Sequence, residues 1–327
     1  MMKAIQCSAF GPPDGLTLKT IDEPVVDHAD VLIEVIAAGV NFPDGLVVQG
    51  KYQVKPSLPF VPGMELCGNV IEVGDKVSGI SVGDRVVSTS PSFGAFAEKI
   101  AIPYQQAIKI PQSIDPTEAC SLLVAYGTAH HALKQRANLK PGETLVVLGA
   151  AGGTGLAAVQ IGKAMGATVI AAASSEDKLN FALQNGADHT INYTETDLKQ
   201  AIREHTNDRG ADVVYDPVGG DQFESSVRAI APNGRLLVIG FASGTIPKFP
   251  INLALVKEIS LIGVFWGAFT NRQPELFHAN MTELIDWYQQ DKVSVQIDKT
   301  FTLTETADAL NYVMSRQVRG KVAITVS

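Results

Sequence analysis

The chain has 327 residues, 46% hydrophobic and 18% charged, which is the composition of a globular protein and, at this length, of two domains rather than one core. No apolar run is long enough to cross a bilayer, which excludes a membrane-spanning role. The formal net charge of −8 is spread without a basic block, so nucleic acid is not expected as a partner.

The amino terminus, "MMKAIQCSAFGPPDG", reads as a strand and a turn. It has neither the apolar core nor the small-residue cleavage site of a signal peptide, so a cytoplasmic protein is expected. Cys7, Cys67 and Cys120 lie far apart with no CxxC pair, which gives neither a disulfide framework nor a zinc lobe. They are expected to be small buried hydrophobes.

Over the first 120 or so residues, short β-branched runs such as "VLIEVIAAGV", "GNVIEVG", "GDRVVST" and "FAEKIAI" alternate with turns, predicting a compact, mostly antiparallel β domain. From about Pro116 the spacing becomes helical and continues to Pro141-Gly142, predicting a helix that bridges two domains. Strands and helices then alternate from "TLVVLG" through "TVIAAA", "DHTINY", "ADVVYD" and "GRLLVIG" to "ISLIGVF", the pattern of a doubly wound parallel sheet. A helix is predicted from about Thr282. The terminal strand "KVAITV" has no place in the wound set and is assigned back to the first domain.

The turn "GAAGGTG", between a strand ending at Leu148 and a helix starting near Thr154, has the order a dinucleotide-binding βαβ unit needs. Gly152 and Gly153 let the backbone approach a pyrophosphate, Gly155 lets the helix pack on the strand, and the helix amino end faces the phosphates. Ala151 and Thr154 complete the turn. The match to G-x-G-x-x-G is imperfect, because its first glycine falls at Ala150.

About 20 residues on, where an acid would bind the ribose 2′-hydroxyl of NAD, the strand ends in Ser174 and Ser175. No carboxylate stands there to repel a 2′-phosphate, two hydroxyls can donate to one, and Lys178 can supply a positive charge one turn into the next helix. The cofactor expected is therefore NADPH. Glu176 and Asp177 are expected to cap that helix; an acid turned toward the ribose would weaken the preference.

The motifs "GVNFPDGLVVQGKY", "LPFVPGMELCGNVIEVG", "GDRV", "AAGGTG", "SSEDK", "GADHTINY", "YDPVGG" and "GKVAITV" together resemble the zinc-independent quinone oxidoreductase branch of the medium-chain dehydrogenase/reductase superfamily, over essentially the whole chain. The resemblance implies an α/β fold: a GroES-like catalytic domain over 1–121, a Rossmann domain over 122–263 and a return to the catalytic domain over 264–327. It also implies an active site in the cleft between them and a homodimer.

In zinc-bearing relatives a cysteine stands near the position of Asp44 and a histidine precedes the glutamate of a G-H-E motif, whereas here the text is "GMEL", with Met64 in place of the histidine. A thioether and a lone carboxylate do not make a tetrahedral zinc site, so no metal is expected. Without a Lewis acid a simple alcohol is a poor substrate, and a quinone or conjugated enone is a better hydride acceptor. An acyl-thioester enone, or NADPH binding without turnover, are the alternatives.

By motif position the resemblance places Asn41 and Asp44 beside the nicotinamide and substrate, with turn-stabilising and loop-holding roles as their alternatives. Tyr52 is the candidate hydroxyl facing substrate, or else an aromatic closing a hairpin. Thr128 matches a nicotinamide contact, and Tyr193 joins Ser174 and Lys178 at the adenosine 2′-phosphate. Phe241 and Ser243 fall at the carboxyl edge of the sheet. Arg319 and Lys321 are candidates for the cofactor phosphates or ribose. His130 and His131 are left out of the catalytic set, one expected to face solvent and one to pack, and Phe265 to Phe269 line the cleft or a dimer seam, or else belong to the core.

Overall fold

The computed structural model describes residues 1–90 and 92–326. Two short strands, β1 (Met2–Gln6) and β2 (Thr17–Ile21), pair antiparallel ahead of the long β3 (Asp30–Val40). Helix α1 (Phe42–Val48) follows, then β4 (Glu65–Val73), β5 (Arg85–Thr89), β6 (Lys99–Pro103) and β7 (Ala107–Lys109). Along β3, Val31, Ile33 and Val35 alternate into a core shared with Leu66, Val70 and Val86. The opposite face is largely covered as well: Leu32 and Ala37 are also buried, and within the strand Glu34 alone is exposed.

The expected helix from Pro116 is present but broken: α2 (Pro116–Ser121), a wider π turn over Leu122–Tyr126, α3 (Gly127–His130) and a second π turn over His131–Arg136. Asp115 caps its start, accepting hydrogen bonds from the backbone N–H groups of Thr117 and Glu118.

The second set of elements is β8 (Thr144–Leu148), α4 (Gly153–Ala164), β9 (Thr168–Ala173), α5 (Glu176–Gln184), β10 (His189–Asn192), α6 (Leu198–His205), β11 (Ala211–Asp216), α7 (Gln222–Ala229), β12 (Ile230–Val238), α8 (Asn252–Lys257), β13 (Ser260–Gly263) and α9 (Trp266–Arg272). The six strands form one parallel sheet in the order β10-β9-β8-β11-β12-β13. Sequence order reverses between β8 and β11, and ligands of such sheets bind beyond the carboxyl ends of the strands at that point. Central strand β8 is apolar and buried from Leu145 to Leu148, as in sheets covered on both faces.

Helix α10 (Pro274–Gln289) starts eight residues before the expected position near Thr282, because Pro274 occupies its first turn, where a missing N–H costs nothing. Then come β14 (Ile297–Thr302), α11 (Thr306–Met314) and β15 (Lys321–Thr325). The last strand does return: β15 pairs antiparallel with the carboxyl half of β3 (Val322 opposite Val40) and parallel with β14, while β6 takes the amino half of β3.

The chain divides into two compact units, one of Met1–Ala125, Pro274–Met281 and Val295–Ser327, the other of Tyr126–Gln273 and Thr282–Ser294. This division differs from the expected boundaries most at 264–273 and 282–294. Those residues stay with the parallel-sheet unit because their aromatics pack there: Phe269 stacks on His131 and Trp287 lies edge-on to His130.

Candidate active site

In the parallel-sheet unit, β8 ends at Leu148 and Gly149 turns the chain with φ +59°, a left-handed conformation that favours glycine. Gly149, not Ala150, thus does the work of the motif's first glycine. Its place directly after the strand is the signal that identifies it.

A Cβ on Gly155 would lie 2.2 Å from the Gly149 carbonyl oxygen, so that glycine is required by the packing of α4 on the turn. Gly152 differs. A Cβ there would meet nothing nearer than the Gly149 oxygen at 3.5 Å, so the fold does not need a glycine. The side-chain space left open lies at the N-cap of α4, whose first amides have no intrahelical acceptor, and these features fit a pyrophosphate. Ala151 is buried within the turn. The Thr154 hydroxyl shares a hydrogen bond with the hydroxyl of Tyr215, a fully buried side chain on β11 that tethers the helix start to the sheet.

Register brings the expected 2′-phosphate residues to one edge. Asn192 pairs with Ala173, so the residues that follow, Tyr193 and Ser174, leave adjacent strands β10 and β9 at the same carboxyl end. Ser175 is the N-cap of α5 with an extended backbone, yet its side chain makes no capping hydrogen bond. Lys178 lies in the first turn of that helix and is half-buried. Glu176 accepts a hydrogen bond from the Asn192 amide at 3.3 Å, and Asp177 is exposed on the same turn.

At the end of β11, the Asp216 carboxylate accepts the N–H groups of Val218 and Gly219, both at 2.8 Å. Burial pushes the Asp216 carboxyl up, and those two N–H groups pull it back. Gly219 and Gly220 follow with φ near +65°. Phe241 and Ser243 sit directly against them, since a Cβ on Gly219 would reach the Phe241 ring at 3.0 Å and one on Gly220 the Ser243 hydroxyl at 2.8 Å. Two backbone bonds, Ala242 N–H to Pro217 and Ser243 N–H to Val218, close this double loop. Tyr215 and Asp216 were not among the residues expected from sequence, although "YDPVGG" contains both.

Thr128 lies half-buried on α3. Its neighbours correct an expectation: neither histidine faces solvent. His130 is fully buried, bonded through Nε2 to Glu283 at 2.8 Å, and burial pushes its imidazolium pKa down to about 4. His131 is buried on Phe269. Within the aromatic cluster, Trp266 and Phe269 are buried in the unit and Phe265 is exposed.

The antiparallel unit holds a buried polar cluster. Lys321, on β15, donates to Glu65 Oε1 at 2.8 Å, Asn41 Oδ1 at 2.6 Å and the Val40 carbonyl at 3.3 Å. An ammonium has three N–H donors, and all three are used. Lys321 is therefore a buried counter-ion and has no N–H left for a cofactor phosphate. Glu65 also accepts from the Asn41 amide on Oε1 and the Val124 N–H on Oε2. Gly39 makes room for it, since a Cβ there would sit 2.1 Å from Oε1.

Sequence reasoning treated Glu65 only as a failed zinc ligand. The stronger signal is a carboxylate opening an apolar strand, which demands a cation inside. Arg319 is exposed, its backbone N–H bonded to Asp298. The three cysteines are buried and free.

Asp44 completes this cluster. It is 1% exposed, its Oδ2 accepts the Asn41 backbone N–H at 2.8 Å, and its Oδ1 has no hydrogen-bond partner. Burial pushes its carboxyl up to about 7, with the Asn41 N–H opposing, Glu65 adding to the rise and Lys321 subtracting from it. Tyr52 is half-buried; burial and the Asp44 charge both raise its phenol. Among the described residues, no group of three or more His, Cys, Asp or Glu side chains is arranged to hold a metal ion. Among the described residues, no helix is long and apolar enough to cross a membrane.

Residues 27–112 match the alcohol dehydrogenase GroES-like domain family and residues 153–288 the zinc-binding dehydrogenase family. The chain is 38% identical to the quinone oxidoreductase-like protein 2 homolog of Nematostella vectensis, over 98% of this chain and 88% of that protein. Among solved structures it is similar to the Escherichia coli quinone oxidoreductase complexed with NADPH, with a TM-score of 0.92 at 28% identity over 99% of both chains. It is also similar to the CurK enoyl reductase, with a TM-score of 0.90 at 27% identity over 100% of this chain and 99% of that one.

Proposed function

The chain belongs to the medium-chain dehydrogenase/reductase superfamily, in its quinone oxidoreductase (zeta-crystallin-like) branch, and from that premise we propose that it is an NADPH-dependent, metal-independent reductase of quinones or α,β-unsaturated carbonyl compounds. The observation that carries this reading is the strand edge of Ser174, Ser175 and Tyr193, where the Glu176 carboxylate is engaged by the Asn192 amide, in the same unit as a glycine turn whose open face lies at a helix amino terminus.

NADPH, when bound, supplies the hydride. Gly152, Gly153 and the first amides of α4 hold its pyrophosphate, and Ser174, Ser175, Lys178 and Tyr193 hold its 2′-phosphate. Phe241, Ser243 and Thr128 line the nicotinamide end. Asn41, held by its bonds to Glu65 and Lys321, is the candidate for a ribose hydroxyl or a substrate carbonyl. Tyr52 donates to the oxygen on which negative charge develops.

The donor set argues for chemistry without a metal: Met64 stands where a histidine would be needed, and Glu65 is already committed to Lys321. The chain is further read as a cytoplasmic homodimer. The similarity to an enoyl reductase favours a second reading, in which the acceptor is an acyl-thioester enone. Oxidation of NADPH by the chelator-treated protein, followed across quinones, simple enones and enoyl thioesters, tests all of this. No oxidation with any acceptor sinks the reading, and a clear preference for enoyl thioesters replaces quinones with the second.

A further inference from the structure

The side-chain amide of Asn41 is held at its two ends by opposite charges. Its Oδ1 accepts from the Lys321 ammonium at 2.6 Å and its Nδ2 donates to Glu65 Oε1 at 2.8 Å, while Lys321 donates to that same carboxylate oxygen at 2.8 Å. The three side chains close a ring: Asn41 directly after β3, Glu65 opening β4 and Lys321 opening β15. All are buried, at 8%, 0% and 3% exposure. Asp44 takes the Asn41 backbone N–H at 2.8 Å, so the main chain is fixed as well as the amide.

A side-chain amide has two orientations of the same shape, related by exchanging its oxygen and nitrogen. A hydroxyl or a water beside it tolerates both, because each can donate and accept. This ring tolerates one. An ammonium only donates and a carboxylate only accepts, so a reversed amide would aim its N–H groups at Lys321 and its oxygen at Glu65, losing both bonds and adding two repulsions.

Stability does not account for the ring. The cost of taking an ammonium and a carboxylate out of water offsets much of their attraction, and an apolar pair of similar volume commonly does as well. The fold nevertheless makes a place for these charges and pins them there. Gly39 leaves the space that Glu65 fills, and Glu65 Oε2 takes the Val124 N–H at 2.7 Å, so both carboxylate oxygens are engaged and cannot swing away from Asn41.

We propose that the buried Lys321–Glu65 pair locks the Asn41 amide in a single orientation, which makes Lys321 and Glu65 positioning residues that act through Asn41 without touching cofactor or substrate. The inference rests on the reductase reading above, in which Asn41 meets a ribose hydroxyl or a substrate carbonyl. A ligand arriving there finds the polarity of the amide already set, with no orientational freedom to be lost on binding.

Two measurements test this, one of them without turnover. Nitrogen-15 labelling of asparagine side chains, with the Asn41 signal assigned by its loss in N41A, follows the amide by NMR. In the wild type the proton bonded to Glu65 should lie well downfield of its geminal partner and exchange slowly with water. Both features should vanish in E65Q/K321M, which keeps the side-chain shapes, removes both charges together and retains an oxygen for the Val124 N–H. A wild-type Asn41 amide that exchanges freely, or one unchanged in E65Q/K321M, overturns the proposal. So does an E65Q/K321M chain that circular dichroism shows to be unfolded, because the pair would then serve stability.

In turnover of NADPH with 1,4-naphthoquinone, E65Q/K321M should lose at least about tenfold in kcat/KM, as N41A does. Combining all three substitutions should cost nothing further, since the pair acts only through Asn41. A folded E65Q/K321M with wild-type kcat/KM, or a further loss in the N41A background, overturns the positioning role. If no acceptor is reduced, the reductase reading fails, and the amide signals still decide whether the pair locks Asn41.

Discussion

Single residues divide into those whose role was written in their type and those whose role came from their partners. Ser174, Ser175 and Lys178 belong to the first group, because two hydroxyls and a cation where an acid would repel phosphate carry their meaning in the sequence. Replacing Lys178 by alanine should weaken NADPH by about 1.5–3 kcal/mol, the worth of a charge-assisted contact, while NADH changes little. Fluorescence titration with both cofactors checks this, and equal losses would remove the 2′-phosphate assignment. Lys321 belongs to the second group: "RGKV" shows a lysine near the end of the chain, and only the pairing of β15 with β3 turns it inward onto Glu65. Asp44 follows from that pairing, and its effect on stability has a definite sign. Its carboxyl is raised from 3.8 to about 7 in the folded state, so between those values the folded chain binds more protons than the unfolded one. Stability therefore falls as pH rises through that window, by at most about 4 kcal/mol. D44N should raise the melting temperature at pH 8 and leave it nearly unchanged at pH 4; an equal shift at both would mean that Asp44 acts through packing alone.

At the scale of elements, legibility followed length and periodicity. β8, α4, β9 and β11 could be placed from the sequence because long apolar strands and a glycine turn leave a strong pattern. Helix α1, seven residues beginning at Phe42-Pro43, has too few turns to show a period, and no element is expected there from the sequence. The two π turns around α3 were also invisible, since one extra residue per turn over five or six residues shifts the apolar spacing too little to read. The glycine turn itself separates fold from function. Gly155→Ala drives a methyl onto the Gly149 carbonyl and should cost about 1–3 kcal/mol of stability. Gly152 has φ −78° and ψ 168°, which alanine adopts freely, and a Cβ there has room. Gly152→Ala should change stability by no more than about 0.5 kcal/mol and still weaken NADPH binding at least about tenfold. Calorimetry beside cofactor titration distinguishes the two, and a Gly152→Ala protein that binds NADPH normally would show that the open space is not the pyrophosphate cradle.

For the molecule as a whole, the sequence supplied the return of the last strand but not its entanglement with sheet order: β15 lies between β14 and β3, so the antiparallel unit is completed only by the final residues of the chain. The sequence also gave no account of the surface around β13. That strand is the outer edge of the parallel sheet, with one side unpaired among the described residues, and near it in sequence stand exposed apolar side chains: Ile251 at 80%, Leu255 at 81% and Val256 at 75% on or beside α8, with Leu261 on β13 itself. An open edge flanked by bare aliphatics is a liability for an isolated chain, because it offers unpaired N–H and C=O groups next to apolar surface. The homodimer in our functional reading answers this if two copies meet along β13 about a two-fold axis, each burying the other's α8. Leu255→Glu would then place two like charges, one from each copy, in the covered face and should convert a dimer to a monomer with no change in the fold of either unit. Light scattering coupled to size exclusion reads the mass directly, with circular dichroism as the control for folding. A wild-type chain that elutes as a monomer, or a Leu255→Glu chain that remains a dimer, would show that this face is not where copies meet.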